Sequence, residues 1–358
     1  MTNRVTSSRM PPTIRAMLEG QEVARLHPRA ALSRDPRGRD REDPEDDMRP
    51  PYQRDRDRVL HSKSFRRLKG KTQVFLAPRG DHYRNRLTHT LEVAQVGRSI
   101  AGALRLNEML VEAMVMGHDL GHTPFGHAGE RLLNRVVPGG FHHVQQSLRV
   151  VEVLEKDGEG LNLTVEVRDG ILRHSKGRGN VLMAGGAGKA LTLEAEIVRL
   201  ADVIAYVNHD LDDAVRGGLL REEEVPRDIA RVIGGRHSVR LHNLIGDVIR
   251  SSDIEGGGHI AMSGDVHGAL LALRDFLYTR VYENPVVQEE FTKAQRILED
   301  LNRWCLEDGE RLRSRFGVAP RPGDDLPRAV TDFLSGMTDR FALETWEKVF
   351  MPRPWAIV

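Results

Sequence analysis

Apolar residues recur at helical spacing through most of this 358-residue chain. The i, i+3, i+4, i+7 pattern runs through "THTLEVAQVGRSIAGALRL" (88–106), "EMLVEAMVMGHDL" (108–120) and "LTLEAEIVRLADVIAYVNHDLDDAV" (191–215). It continues through "HGALLALRDFLYTRVY" (267–282) and "RILEDLNRWCLEDGERLRSRF" (296–316). Sustained period-two alternation is scarce, so the pattern predicts an all-α protein. Glycine-rich breaks at "GRGNVLMAGGAGKA" (177–190) and "SSDIEGGGH" (251–259) predict loops. The first is not a phosphate-binding loop, because Met183 and Ala190 stand where that motif needs Gly and Ser or Thr. The stretch 33–58, "SRDPRGRDREDPEDDMRPPYQRDRDR", is too polar and proline-rich to bury a core. It predicts a solvated or flexible leader over residues 1–54, followed by a single folded domain over 55–358 with helices extending its C-terminal part.

Composition narrows the class. Hydrophobic residues at 39% and charged residues at 29% describe a water-soluble globular chain. No apolar run approaches the ~20 residues that span a bilayer, so no membrane partner is expected. The N-terminus lacks the apolar core of a secretory signal and the lone Cys305 cannot form an internal disulfide, which together predict a cytoplasmic location. A net charge of +1 gives no global attraction to nucleic acid. Locally the balance differs: between Arg54 and Arg86, eleven Lys and Arg face only Asp55, Asp57 and Asp81, a segment suited to an anion.

Candidate chemistry centres on "GHDLGHTPFGHAGE", residues 117–130, which holds three histidines, an aspartate, a glutamate and four glycines. "AMVMGHDL" reads as the end of an apolar helix that presents His118 and Asp119 just before Gly121 and Pro124 stop it. Adjacent helical residues point about 100° apart, so both reach one ion only if it sits beside the helix. His89 lies on the preceding amphipathic helix, and Asp202 interrupts the apolar stretch of a later one. Buried imidazoles and carboxylates are costly unless paired, and a metal ion pairs all four at once. Two imidazoles and two carboxylates suit a divalent Mn, Co, Ni, Fe or Mg ion, and one cysteine excludes a cysteine-rich zinc site.

His89, the His118–Asp119 pair and Asp202 together resemble the HD-domain metal-dependent phosphohydrolases. More narrowly, "RDRDRVLHSKSFRRLKGKTQVF", "GDHYRNRLTHTLEVAQVGRSIA", "GHDLGHTPFGHAGE", "QSLRVVEVLE", "YVNHDLDDAVRGG" and "SGMTDRFAL" resemble the deoxyguanosine triphosphate triphosphohydrolase-like (dGTPase-like) family. The resemblance covers roughly residues 50–350. It implies an all-α HD core, a metal held by His89, His118, Asp119 and Asp202, and hydrolysis of deoxynucleoside triphosphates to deoxynucleoside and inorganic triphosphate. It also implies Tyr206 against the deoxyribose, Asp210 near the phosphate-binding surroundings and Gln73 toward the sugar 3′ hydroxyl. The family often forms homo-oligomers with nucleotide-responsive interfaces. His143, in "GFHHVQQSLR", matches an active-site histidine that the family flanks with an acid and an amide; His142 and Val144 depart from those flanks.

Hydrolysis at the α-phosphorus needs a nucleophile, charge neutralisation and a proton for the departing 5′ oxygen. A divalent ion supplies the first two. His127 and Glu130, three apart on a helix starting near Gly126, would share a face, the carboxylate orienting and charging the imidazole as an acid–base dyad. His122 has no part in this scheme and reads as solvated or turn-stabilising. Arg86, one turn before His89, would face the phosphates, and Tyr206 and Asp210 share the helical face of Asp202. Two alternatives differ in class. One is another HD phosphohydrolase, acting on a monophosphate, cyclic nucleotide or alarmone; the other is a nucleotide-responsive or single-stranded nucleic-acid-binding regulator. Neither needs both the basic segment and the His127–Glu130 pair.

Overall fold

The computed structural model describes residues 13–73, 83–175 and 189–352; among them it has sixteen α-helices, short 3-10 and π turns, and two isolated β-bridges but no sheet. Ile14–Arg25 (α1) and Pro51–Leu60 (α2) come first. The apolar blocks then fold as Arg86–Ala103 (α3) and Glu108–His118 (α4), followed by Gly126–Val136 (α5), His143–Arg149 (α6), Val165–Arg173 (α7) and the long Leu193–Arg216 (α8). In the C-terminal part, the helices Gly264–Leu277 (α9), Pro285–Glu307 (α10), Leu326–Ser335 (α11) and Asp339–Phe350 (α12) pack against this body. The run 296–316 is cut at Asp308, whose carboxylate accepts from the Glu310 N–H and starts a separate helix. Residues 252–263 form the expected loop, pinned by an Asp253–His259 bridge, whereas 176–188 lie outside the described residues.

α4 is the axis of the core. The Asn107 side chain caps it by accepting from the Met109 and Leu110 N–H groups. Leu110, Val111, Met114 and Val115 have no solvent exposure, because α2, α3, α7 and α8 enclose the helix. Glu108 and Glu112 keep a polar edge near Arg98 and Arg56, and the rest of the helix is apolar, each buried side chain contributing roughly 1.5–3 kcal/mol. α3 starts at an Asn85–Thr88 capping box, and its packing with α8 and α4 brings His89 and Asp202 beside His118, the last residue of α4. The sequence pattern therefore places the metal-ligand candidates at one end of a buried helix.

The segment before residue 55 is not a solvated leader over its described part. α1 is followed by a stretch that hydrogen-bonds to the body: Ala31 N–H to Glu194, Arg37 N–H to Glu166, and Arg39 to Asp55, itself fully buried. Asp43 takes ion pairs from Arg39, Arg54 and Arg58. The polar composition that suggested solvation is instead satisfied by ion pairs with α2 and by backbone contacts. Residues 1–12 lie outside the described residues.

Two apolar cores share the molecule. The larger surrounds α4; the smaller joins α5 to α10, α11 and α12 through Phe125, Leu132, Leu133, Phe291, Leu298 and Leu334. Between them the 119–125 turn is held from the C-terminal side. Lys71, buried, donates through Nζ to the carbonyls of His122 and Ser335, and burial, ahead of Arg67 and Arg86, pulls its pKa down to about 7. The Asp339 carboxylate accepts from the Thr72 N–H and hydroxyl and, at 2.9 Å, from the Phe125 N–H. Phe125 has a positive φ of 62°, a conformation that costs a non-glycine residue energy and needs such support.

Two glycines of 117–130 are there for close approach. At Gly129 an added methyl would sit 2.2 Å from the Pro124 carbonyl oxygen. At Gly121 it would sit 2.2 Å from Ser147 N and 2.7 Å from the His143 carbonyl oxygen, because α6 lies directly on the turn. Gly121→Ala should destabilise the protein by about 3 kcal/mol or more, at or beyond the upper end of overpacking costs, since backbone rather than a side chain must yield. Thermal unfolding within a degree of the parent would show that α6 does not press on this turn.

Candidate metal centre and active site

His118 ends α4, and its Nδ1 lies 2.6 Å from the Val115 carbonyl, which can only accept. Nδ1 is therefore the protonated nitrogen, and Nε2 turns a lone pair inward. That Nε2 is buried without a hydrogen-bond partner. It sits 3.5 Å from Asp119 Oδ1 and 3.9 Å from Asp202 Oδ1, while His89 Nε2 is 3.1 Å from the same Asp202 oxygen. One ligand atom from each of His89, His118 and Asp119 falls within 4.8 Å of the others, the spread of donors around a single ion. An unpartnered buried lone pair facing two carboxylates and a second imidazole fits a divalent cation. Three of the four candidate ligands form this group, and Asp202, outside it, lies within 3.9 Å of its two histidines.

Arg86 lies where the helical spacing puts it, but one edge of its guanidinium is already engaged. Nη1 donates to Asp119 Oδ2 at 2.7 Å with both side chains buried, while Nε has no partner. Burial opposes ionisation of Asp119, yet the surrounding His118, His122 and Arg86 outweigh it and hold its pKa well below the usual carboxylate range. His122 is not solvated. It is 3% exposed, 3.4 Å from Asp119 Oδ1 and stacked on His143 with ring centroids 4.0 Å apart. Asp119, His122 and His143 form a second convergent group within 4.8 Å.

The expected His127–Glu130 dyad is replaced by another pairing. α5 does begin at Gly126, but Glu130 Oε1 accepts from both the backbone N–H (2.9 Å) and Nδ1 (2.8 Å) of His143, and no hydrogen bond joins it to His127. The reason is tertiary: α6, seated on Gly121, brings His143 closer than the in-helix neighbour. Against burial, His143 holds Glu130 at about 2, and Glu130 in turn raises the His143 pKa. His143 Nε2 faces His174 Nε2 at 3.2 Å, and the His174 Nδ1 donates to the Ile171 carbonyl. Two unprotonated nitrogens would repel at that distance. The charged His143 resolves it by donating to His174, whose pKa burial, ahead of His118 and His143, pulls down to about 3.

His127 instead belongs to a ring wall. Its centroid lies 6.2 Å from those of Tyr206 and Tyr282, which are themselves 6.3 Å apart. Burial, then Arg86, lowers its pKa to about 4, so it is neutral here. Gln73 Oε1 and the Tyr282 hydroxyl are buried without partners, while the buried Asp210 carboxyl faces the Tyr206 hydroxyl. Burial, then Asp213, pushes the Asp210 pKa well above the carboxylate range. His174, His209 and Tyr282 were not legible as site residues. His209 alone carried a periodic signal, two helical turns after Asp202.

The chain matches the HD domain over residues 86–207 and the phosphohydrolase-associated domain over 260–348. Helical fold, paired domains and the convergent His/Asp group define an HD-domain protein of the phosphohydrolase class, a domain that implies a divalent metal ion. A deoxyguanosinetriphosphate triphosphohydrolase-like protein of Caldanaerobacter subterraneus subsp. tengcongensis is 49% identical over 343 residues, 96% of this chain and 97% of its own length. Like-named proteins of Desulfatibacillum aliphaticivorans (47% identical, 96% of this chain, 99% of theirs) and Ralstonia pickettii (40%, 91% and 94%) are similar over comparable spans. The chain belongs to this dGTPase-like family. Among the described residues no helix is long and apolar enough to cross a membrane.

Asp119→Ala removes a ligand and leaves Arg86 as an unpaired buried cation. The purified variant should lack bound metal and lose ~3–5 kcal/mol of stability, the cost of breaking a buried pair from one side. Elemental analysis showing parental metal content would remove Asp119 from the ligand set.

Proposed function

We propose that this protein is a metal-dependent deoxynucleoside triphosphate triphosphohydrolase, cleaving dGTP or another dNTP into deoxynucleoside and inorganic triphosphate. The observation that carries this reading is the set of buried, unpartnered polar atoms near the candidate ligand cluster: Arg86 Nε, Gln73 Oε1 and the Tyr282 hydroxyl. Unpaired buried groups cost roughly 1–3 kcal/mol each, so a pocket keeps them for a ligand that pairs them. They demand a ligand carrying both anionic oxygens and hydroxyls. The adjoining His127, Tyr206 and Tyr282 rings add a flat apolar wall suited to a nucleoside. The family resemblance supports the same substrate class.

A divalent ion held by His89, His118, Asp119 and Asp202 would supply Lewis acidity at the α-phosphoryl group and lower the pKa of the attacking water. Arg86, buried beside Asp119, binds the phosphate oxygens through its free edge and opposes the charge that grows as the phosphorus–5′ oxygen bond breaks. The departing 5′ oxygen takes a proton. His143, charged by Glu130, is the proton donor the site offers once its Nε2–H turns from His174 to the substrate, and His127 lines the nucleoside side. Asp210, whose pKa burial raises well above the usual carboxylate range, lies beside the Tyr206 hydroxyl on the substrate side, and Gln73 offers its amide oxygen to a sugar hydroxyl.

With Mn or Mg, all four dNTPs assayed singly and mixed should give inorganic triphosphate and deoxynucleoside. Release of pyrophosphate or monophosphate instead would overturn the reading, and activity confined to mixtures would reveal a nucleotide effector. A pH profile tests the donor. His143→Ala should slow release by ~10²–10⁴-fold. Glu130 raises the His143 pKa, so the imidazolium is present below that value and lost above it; Glu130→Gln lowers the value and should move the alkaline limb to lower pH. An alkaline limb unmoved in Glu130→Gln would assign the proton to another group.

A further inference from the structure

A chain of side chains runs behind the metal ligands and has no part in that chemistry. His89 turns Nε2 toward Asp202 and the metal position, while its Nδ1 lies 3.3 Å from Nδ1 of His209, which is 3% exposed. The other nitrogen of His209, Nε2, lies 2.9 Å from Glu92 Oε2. Arg84 donates through Nε to both Glu92 oxygens, at 3.1 and 3.0 Å, and through Nη1 to Asp212 and Asp213 at 2.7 Å each. The array links α3, which carries His89 and Glu92 one turn apart, to α8, which carries His209 and the two aspartates.

Hydrogen-bond direction along this array is determined by its ends. Anchored by Arg84, Glu92 can only accept, so the proton lies on His209 Nε2. A neutral imidazole carries one N–H, which makes His209 Nδ1 an acceptor. His89 must then donate through Nδ1 across the 3.3 Å contact. That leaves Nε2, hydrogen-bonded to Asp202 at 3.1 Å, as the nitrogen whose proton a metal displaces on binding and whose lone pair it takes. Without an acceptor at position 209, nothing would select this tautomer, and the ring could turn or hold its proton on the ligating nitrogen.

We propose that His209, oriented by Glu92 and Arg84, is a positioning residue that fixes His89 in the metal-binding tautomer. This rests on His89 being a ligand, not on the identity of the nucleotide, so a protein that hydrolysed a different phosphate ester would behave identically. The same logic holds His118 through Val115, by a backbone carbonyl; at His89 the acceptor is a side chain and can be exchanged.

The two amides of different length separate the proposal from simple space filling. In His209→Asn the amide oxygen falls where Nδ1 stood and can accept from His89. In His209→Gln the amide reaches toward Glu92, past the His89 contact, and His209→Phe offers neither. The metal-free full-length protein is titrated with Mn(II) or Co(II) against a competing chelator, without nucleotide, and thermal unfolding checks that each variant is folded. Gln and Phe variants should bind ~10–100-fold more weakly, the range for losing an outer partner of a ligating histidine, while Asn stays near the parent. The Co(II) ligand-field spectrum should follow the same division. Parental affinity in His209→Gln, or equal weakening in the Asn and Gln variants, would overturn the proposal. Should the Phe variant not fold, the Asn–Gln comparison still decides.

Discussion

Asp119 and Arg86 meet at 2.7 Å where almost no water reaches either side chain. A carboxylate stripped of water pays several kcal/mol, and only a nearby positive charge or metal returns it. That constraint propagates. Each imidazole brought in to face the carboxylates is itself buried, so its outward nitrogen needs an acceptor. His118 and His174 find one in the same way, three residues back at the end of their own helices, in the carbonyls of Val115 and Ile171. The last carbonyls of a helix lack intrahelical partners. A histidine at that point satisfies one of them and by the same bond directs its free lone pair away from the helix. His143 reaches Glu130 instead, and gains a charge by it.

The C-terminal helices are part of this constraint, not an appendage to it. The turn that follows Asp119 has Phe125 in a left-handed conformation and buries its N–H, so something must hold it. Asp339 accepts that N–H, and Lys71 ties the His122 carbonyl to the one at Ser335. Arg149, on the helix that carries His143, is locked to Asp324 and Asp332. The two apolar cores therefore meet through polar contacts that converge on both ends of the catalytic turn. A shift of α11 or α12 would reach His122 and His143 before it reached the metal ligands.

The fold class was legible, as was the meeting of His89, His118, Asp119 and Asp202 at one helix end, because each is written in local pattern. An apolar block that ends in His-Asp announces a buried helix with a polar tip, and polar residues interrupting neighbouring apolar blocks show what meets it. The Glu130–His143 pair was not legible from spacing. His127 and Glu130 do share a helical face, but that proximity competes with a tertiary one, and the close seating of α6 on Gly121 decides it. His174 looked like any helix-ending histidine, and Tyr282 like one apolar position in an amphipathic run. The polar stretch before residue 55 failed as a leader for the same reason. Hydrophilicity does not distinguish charges in water from charges in pairs, and Arg39 finds Asp55 only after the chain has folded.

The proposed nucleotide site would have halves governed by different physics. On the metal side His118, Arg86 and His143 are each oriented by a directional bond, so a phosphate there would meet donors of fixed direction. On the ring side His127, Tyr206 and Tyr282 stand at 6.2–6.3 Å separations, held by packing rather than by hydrogen bonds between them. Ring faces accept any planar partner with little directional preference, while a misplaced phosphate would leave Arg86 Nε unpaired. A nucleotide bound as proposed would thus be registered from its phosphate end, and its base could vary without displacing the scissile bond. Discrimination between bases then has to come from the hydrogen-bonding edge beyond the rings, where shape and polar contacts can differ without disturbing the buried charges that the chemistry needs.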